Sequence, residues 1–257
     1  MPDITVSIFN DSTVLTDADV QKAAAALQIQ VSQHFEPAWG VDANVVFTPK
    51  GEQPPAGSWW LAILDNTDQA GALGYHDVTP EGLPMGKVFA KTDIDNKLSW
   101  TVTASHELLE MLGDPDVNLT TFIQHTQTTG TLYAYEVCDP VEDDQYGYPI
   151  NGVAVSDFVL PSYFEPNTAG HTKGVKFDYR GELTQAVPAM LSGGYLSEFD
   201  VRHGGGWTQK TAATEGQPHR GHLRMPVKGG RSDRRRRPRS DWGVSTTRFV
   251  PMRTVTP

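Results

Sequence analysis

The most constraining feature of this sequence is a nearly apolar segment, from about Trp100 to Leu112, that carries three ionisable side chains. Its periodicity predicts an α-helix, which Gly113 and Pro115 stop. Its polar positions form one narrow stripe, which consists of Thr103, His106, Glu107 and Glu110. A surface helix would show a wider polar face, whereas a helix that is apolar around most of its circumference is buried. Buried acids need a partner or a metal ion, so the segment predicts a polar cluster inside the protein.

The spacing of these polar residues suits a metal site. His106 and Glu110 are four residues apart, so they lie side by side on one face of a helix. One divalent metal, with zinc as the expected ion, could accept a nitrogen from His106 and an oxygen from Glu110. Glu107, one step round the helix, would then stand beside a metal-activated water and could serve as its general base. We therefore expect His106 and Glu110 to be metal ligands and Glu107 to be catalytic.

A third protein ligand is expected, because a tetrahedral catalytic site takes three protein ligands and a water. Asp116, Glu136 and Asp139 are the candidates that follow the helix. If residues 132–139 form a regular strand, Glu136 and Asp139 point to opposite faces, so only one of them reaches the metal. Glu136 is favoured because it lies in the better-formed part of that strand.

The rest of the chain to about residue 200 reads as a mixture of strands and helices. The predicted strands lie near Ile4–Ile8, Ala43–Thr48, Trp59–Leu64, Ala72–His76, Lys87–Ala90, Leu132–Cys138 and Val153–Leu160. Thr16 can cap a helix that runs to Phe35 and ends before Pro37, which restricts Glu36. Residues 184–191 are expected to form a short helix or a turn. The order of these elements predicts an α+β fold.

Charge divides the chain into an acidic body and a basic tail. Residues 1–200 hold 8 Lys and Arg against 28 Asp and Glu, whereas residues 201–257 hold 13 against 3. We predict a domain over 1–202 and a Gly-, Pro- and Arg-rich tail over 203–257 that is flexible or docks to a partner. The cluster Arg234–Arg239 could contact nucleic acid or an assembly, and attraction of the tail to its own acidic body is an equal alternative.

Isolated residues carry less weight. Single histidines such as His76 and His125 are more often ordinary polar residues than ligands. The lone Cys138 excludes an internal disulfide framework and a multi-cysteine zinc site. No run approaches the roughly 20 apolar residues of a membrane span. Residues 1–5 lack a basic stretch followed by an apolar one, which favours a cytoplasmic location and leaves non-classical export open.

The helix and the acidic residues after it carry a resemblance. The sequence Ser105–Glu110, followed by Asp114–Pro115 and later by Glu136–Asp139, is similar to an HExxE-variant group of bacterial proteins in the zincin-like metallopeptidase superfamily. The plant exordium-like proteins have a related helix. The resemblance covers roughly residues 1–200. It implies a mixed twisted sheet with a backing helix and an active-site helix, then an irregular C-terminal subdomain and the basic tail. It also implies that His106 and Glu110 bind metal and that Glu107 is the base.

Two functions follow from this resemblance. The first is a metal-dependent, peptidase-like hydrolase that acts on a peptide or protein substrate. Glu110 stands where the superfamily has a second histidine, which leaves the metal less positive and its water less acidic. We therefore expect weaker peptidase activity or a harder metal. The second function is a non-catalytic structural or interaction protein on a zincin scaffold, whose basic tail docks to a partner.

Overall fold

The fold begins with a parallel arrangement of strands. In the computed structural model the described residues are 2–68, 72–79, 81–166, 174–203 and 206–212. The first half contains five strands, which are β1 (Thr5–Asn10), β2 (Asn44–Thr48), β3 (Trp59–Leu64), β4 (Gly74–Val78) and β5 (Pro84–Phe89). They form one sheet in the order β2-β1-β3-β5-β4. Every neighbouring pair is parallel except β4 and β5, so the sheet is mixed, with β4 antiparallel at one edge.

Helices cover one face of this sheet. They are α1 (Asp17–Ile29), α2 (Glu36–Trp39), α3 (Ala90–Asp95) and α4 (Trp100–Gly113). Helix α1 packs on β1 and β2, and α4 packs on β5 and β4. Both also contact the short strand β9 (Val153–Val155), so the two helices share a face. The expected α+β class with a mixed sheet is confirmed.

The first helical region is longer than the sequence predicts. Thr16 and Asp19 form a reciprocal capping box at the start of α1, as the sequence indicates for the cap. The prediction that Pro37 ends the helix is wrong. A π-helical turn over Gln30–Phe35 leads into α2, which continues to Trp39 before Gly40 adopts a left-handed conformation with φ of 69°. Pro37 lies at the junction of the π-helical turn and α2, and the chain stays helical through it.

The second half contains a separate antiparallel sheet. Its strands are β6 (Thr120–Gln124), β7 (Gly130–Ala134), β10 (Tyr195–Asp200) and β11 (Thr208–Thr211), in the order β11-β10-β7-β6. A hairpin of β8 (Tyr148–Ile150) and β9 lies between them in sequence. Strand β11 falls within the range assigned to the basic tail and pairs with β10. The cluster Arg234–Arg239 lies outside the described residues.

Two strands are shorter than their apolar runs predict, because side chains bind their backbone N–H groups. Strand β7 ends at Ala134, and the backbone N–H of Val137, Cys138 and Asp139 is donated to the Glu110 carboxylate. Strand β9 ends at Val155, and the next N–H, of Ser156, is donated to the Ser105 hydroxyl. No helix forms over residues 184–191, which are turns and extended chain. Helix α3 also replaces the end of the strand expected near Lys87–Ala90.

Candidate functional site

Helix α4 carries its polar stripe into the interior, as its sequence predicts. His106, Glu107 and Glu110 are only 2%, 1% and 1% exposed. Two glycines of the sheet let the helix approach this closely. A Cβ atom at Gly74 would lie 2.6 Å from Glu107 Oε1, and one at Gly86 would lie 3.4 Å from Glu107 Cβ. The glycines of β4 and β5 therefore make the space in which the Glu107 side chain lies.

The first group of possible metal ligands consists of His106, Glu110 and Asp139. His106 Nε2 lies 3.0 Å from Asp139 Oδ1 and 3.7 Å from Glu110 Oε1. Zinc–nitrogen and zinc–oxygen bonds of about 2.0–2.2 Å place tetrahedral ligand atoms about 3.4 Å apart. The two measured separations lie on either side of that value. All three residues are buried, so the group can bind a metal ion away from bulk water.

The second group consists of His76, Glu110 and Glu136. His76 belongs to the edge strand β4, and its Nε2 lies 3.8 Å from Glu136 Oε2. Its other ring nitrogen, Nδ1, lies 3.8 Å from Glu107 Oε2. The imidazole of His76 therefore lies between Glu107, the expected general base, and Glu136, an expected metal ligand. The donor atoms of each group lie within 4.8 Å of one another, and Glu110 belongs to both groups.

Glu110 also organises the loop that follows β7. Its Oε1 accepts the backbone N–H of Cys138 at 2.7 Å and of Asp139 at 3.3 Å, and its Oε2 accepts that of Val137 at 3.0 Å. Burial raises the pKa of Glu110, while His76 and these N–H groups act in the opposite direction. The same carboxylate thus binds the loop that carries Glu136 and Asp139.

The structure brings most of the predicted site residues together. His106 and Glu110 share one candidate ligand group with Asp139, whereas the favoured third ligand, Glu136, belongs to the other group, with His76 and Glu110. Glu107 lies beside His76. Glu136 and Asp139 both reach Glu110, whereas a regular strand would have allowed only one of them. Asp116 is exposed and belongs to neither group. It is therefore not brought to the site.

His76 could approach the site, but as a lone histidine it was expected to be an ordinary polar residue, and the structure places it in a candidate ligand group. It occurs in the weakly patterned run Gly74–Val78, and only the order of the sheet places that run beside α4. The neighbouring Gly74 is a partial signal, because a glycine inside a strand often marks a close approach. The other single histidine, His125, is exposed and contacts the Thr131 hydroxyl at 2.9 Å, as expected for an ordinary polar residue.

Comparison with known proteins adds no family to these observations. No protein-family model, curated protein or solved structure matches this chain. The resemblance to zincin-like metallopeptidases stays a prediction from the sequence. Within the described residues, no helix has the length and apolar character needed to span a membrane.

The donor atoms define what the site can do chemically. Two imidazoles and several carboxylates converge in a buried position, and such groups could hold a metal ion. Mixed nitrogen and oxygen donors suit zinc and neighbouring divalent transition metals better than they suit calcium or magnesium. Glu107 is not needed as a ligand. Its carboxylate lies next to His76 of the second group and could accept a proton.

Proposed function

We propose that this protein is a metal-dependent, peptidase-like hydrolase in which Glu107 is the general base. The observation that supports this proposal is the convergence of His106 Nε2, Glu110 Oε1 and Asp139 Oδ1, with Glu107 of the same helix as His106 and Glu110 lying against His76 of the adjoining group. Zinc is the ion we propose, because zinc binds both imidazole nitrogen and carboxylate oxygen. With two carboxylates in the set, its water would be less acidic than at a site with two histidines and one glutamate.

The protein's own residues then have distinct tasks. Zinc held by His106, Glu110 and Asp139 would supply an acidified water and polarise a carbonyl group. Glu107 would accept a proton at its carboxylate, which is buried and held against Gly74 and His76. General base catalysis by a positioned side chain contributes typically about 100-fold to 10,000-fold in rate.

The substrate class is proposed from the resemblance of α4 to the metal-binding helix of metallopeptidases, which implies a peptide or related amide as the substrate. The edge strand β4 carries His76 at the site, but all of its residues are buried, so it adds no argument for the substrate.

Metal content and peptide hydrolysis test this function together. The purified full chain should contain stoichiometric metal, and a mixed fluorogenic peptide library should be cleaved in a metal-dependent way. Glu107→Gln should lower the cleavage rate about 100-fold or more while the metal content stays unchanged. Asp116→Asn makes the same acid-to-amide change at an exposed position and should alter neither. Full activity in Glu107→Gln would exclude this residue as the base.

One observation favours a non-catalytic alternative. The candidate ligands are all buried, and Glu110 is engaged with three backbone N–H groups, as in a site that stabilises a fold. On this alternative the metal raises the unfolding temperature, no peptide is cleaved, and Glu107→Gln has no measurable effect on stability. A pull-down with and without residues 203–257 would then test the basic tail for a docked partner.

A further inference from the structure

We propose that the buried cluster holds two divalent cations, one on each side of Glu110. This inference rests on the proposed metal site and changes its stoichiometry. One ion would be bound by His106, Asp139 and Glu110. The other would be bound by His76, Glu136 and Glu110. Glu110 would be the bridging ligand between them.

The grouping of the donor atoms is the first argument. The His106 group and the His76 group each bring three donor atoms within 4.8 Å of one another, and Glu110 is the residue that they share. Each group supplies one imidazole, one carboxylate of its own and the shared carboxylate. Two such sets provide each ion with three protein ligands and leave room for water. A single ion would leave one complete set without a role.

The hydrogen bonds of Glu110 are compatible with a bridge. A carboxylate offers about four lone-pair sites, two on each oxygen. The short bonds from Cys138 to Oε1 and from Val137 to Oε2 use one site on each oxygen. The bond from Asp139 to Oε1 is the longest, at 3.3 Å, and gives way most easily. Each oxygen then keeps one N–H bond and has one lone pair to direct at one ion.

Charge is the second argument. Four buried carboxyl groups meet here, those of Glu107, Glu110, Glu136 and Asp139. Glu107 and Glu136 each lie 3.8 Å from a ring nitrogen of His76, and Glu110 and Asp139 lie 3.7 Å and 3.0 Å from His106 Nε2. A histidine that binds a metal is neutral. One divalent cation would balance two carboxylates, whereas two would balance four, so this density of buried carboxyl groups suits a pair of cations.

A paired site would also sharpen the chemistry. Carboxylate-bridged ions in two-metal hydrolases lie about 3.5–4 Å apart and stabilise both the attacking and the leaving oxygen. Glu107 lies 3.8 Å from His76 Nδ1, where it can orient that ring when Nε2 binds the second ion. Loss of His76 would therefore remove one ion and leave the other in place.

Metal counting on the full chain tests this inference. The protein is stripped with a chelator, reloaded with Zn²⁺, and measured by native mass spectrometry and elemental analysis. We expect two ions per chain in the parent protein, one in His76→Ala and one in His106→Ala. The control His125→Ala changes an exposed histidine and should keep two. One ion in the parent would overturn the paired site and leave the proposed hydrolase intact, whereas no bound ion would overturn both. Two ions in His76→Ala would also overturn the paired site.

A measurement on the unaltered protein covers the case in which a variant fails to fold. Mn²⁺-loaded protein is examined by electron paramagnetic resonance. Two Mn²⁺ ions bridged by a carboxylate are magnetically coupled and give a multiline spectrum, whereas an isolated ion gives a simple six-line pattern. The multiline spectrum is the expected result. A six-line spectrum at saturating Mn²⁺ would contradict the bridge.

Discussion

The carboxylate of Glu110 accepts the backbone N–H of Cys138 at 2.7 Å, across 28 residues of sequence. Bonds from Val137 and Asp139 complete a set of three N–H donors around the same carboxylate. An acid on the buried helix therefore replaces a neighbouring strand as the partner of this backbone. Glu110, itself a candidate ligand, thus holds the loop that carries two others, Glu136 and Asp139.

The first prediction concerns Glu110→Gln in the metal-free protein. A glutamine amide presents one NH₂ group to the backbone N–H donors, so at least one buried donor loses its acceptor. Such a loss costs about 1–3 kcal/mol in the free energy of unfolding. Urea denaturation in the presence of a chelator measures it. Asp116→Asn removes an exposed acid and should cost much less. Equal stability of the two variants would show that the loop does not depend on Glu110.

The same hydrogen bonds explain which parts of the fold the sequence predicted. The strand Trp59–Leu64 and the helix α4 have strong local patterns, and the structure has them where the sequence indicates. The run Leu132–Cys138 has an equally clear strand pattern, yet β7 stops at Ala134. Periodicity reports which residues are buried. It does not report which partner takes the backbone N–H, and here the partner is a side chain distant in sequence.

The site residues that are close in sequence could be paired from the sequence, and those that only the tertiary fold brings together could not. His106 and Glu110 could be paired from sequence, because a spacing of four residues fixes their neighbourhood on a helix. His76 could not be found in this way, since its place depends on β4 being added to the sheet next to β5. Glu136 was favoured as the third ligand and Asp139 was expected to point to the other face, because the strand was assumed to continue. The irregular loop lets both of them reach Glu110.

The second prediction tests the glycine that admits α4. In Gly74→Ala the new Cβ would lie 2.6 Å from Glu107 Oε1 and 2.8 Å from both Lys87 O and Thr103 Cγ2, so the helix must move. Overpacking of this kind costs about 1–3 kcal/mol. The matched control is Gly86→Ala, whose closest contact is Leu61 Cδ1 at 2.7 Å, the end of a side chain rather than backbone. Thermal unfolding of both should show the larger loss for Gly74→Ala, and the opposite order would contradict the close approach of α4 to β4.

The third prediction concerns the hydroxyl next to His106. Ser105 Oγ donates to Gln30 Oε1 at 2.6 Å and accepts the Ser156 N–H at 2.9 Å, and all three residues are buried. Ser105→Ala leaves a donor and an acceptor unsatisfied in the interior. We expect a loss of about 1–3 kcal/mol for each, measured by chemical denaturation. Thr126→Ala, which removes an exposed hydroxyl in the β6–β7 turn, should be close to neutral because water replaces it. A neutral Ser105→Ala would show that this network adds nothing to stability.

The last prediction is a pH dependence that arises from Asp157. Burial, and after it the neighbouring carboxyl group of Asp178, raises the pKa of this carboxyl from its ordinary 3.8 to about 9. The folded protein thus holds a proton that the unfolded chain releases. The resulting stabilisation is fully present below pH 3.8 and is lost as the pH rises to about 9.

Asp157→Asn tests this dependence, because asparagine keeps the shape and an N–H donor for Asp178 but does not titrate. Between the two pKa values the free energy of unfolding of the parent should fall relative to that of the variant, by at most about 1.4 kcal/mol per pH unit. Urea denaturation of both proteins at several pH values in this range measures the difference. The control Asp116→Asn changes an exposed acid and should track the parent across the range. Parallel pH profiles for Asp157→Asn and the parent would mean that Asp157 is already ionised in the fold, and that the pair with Asp178 shares no proton.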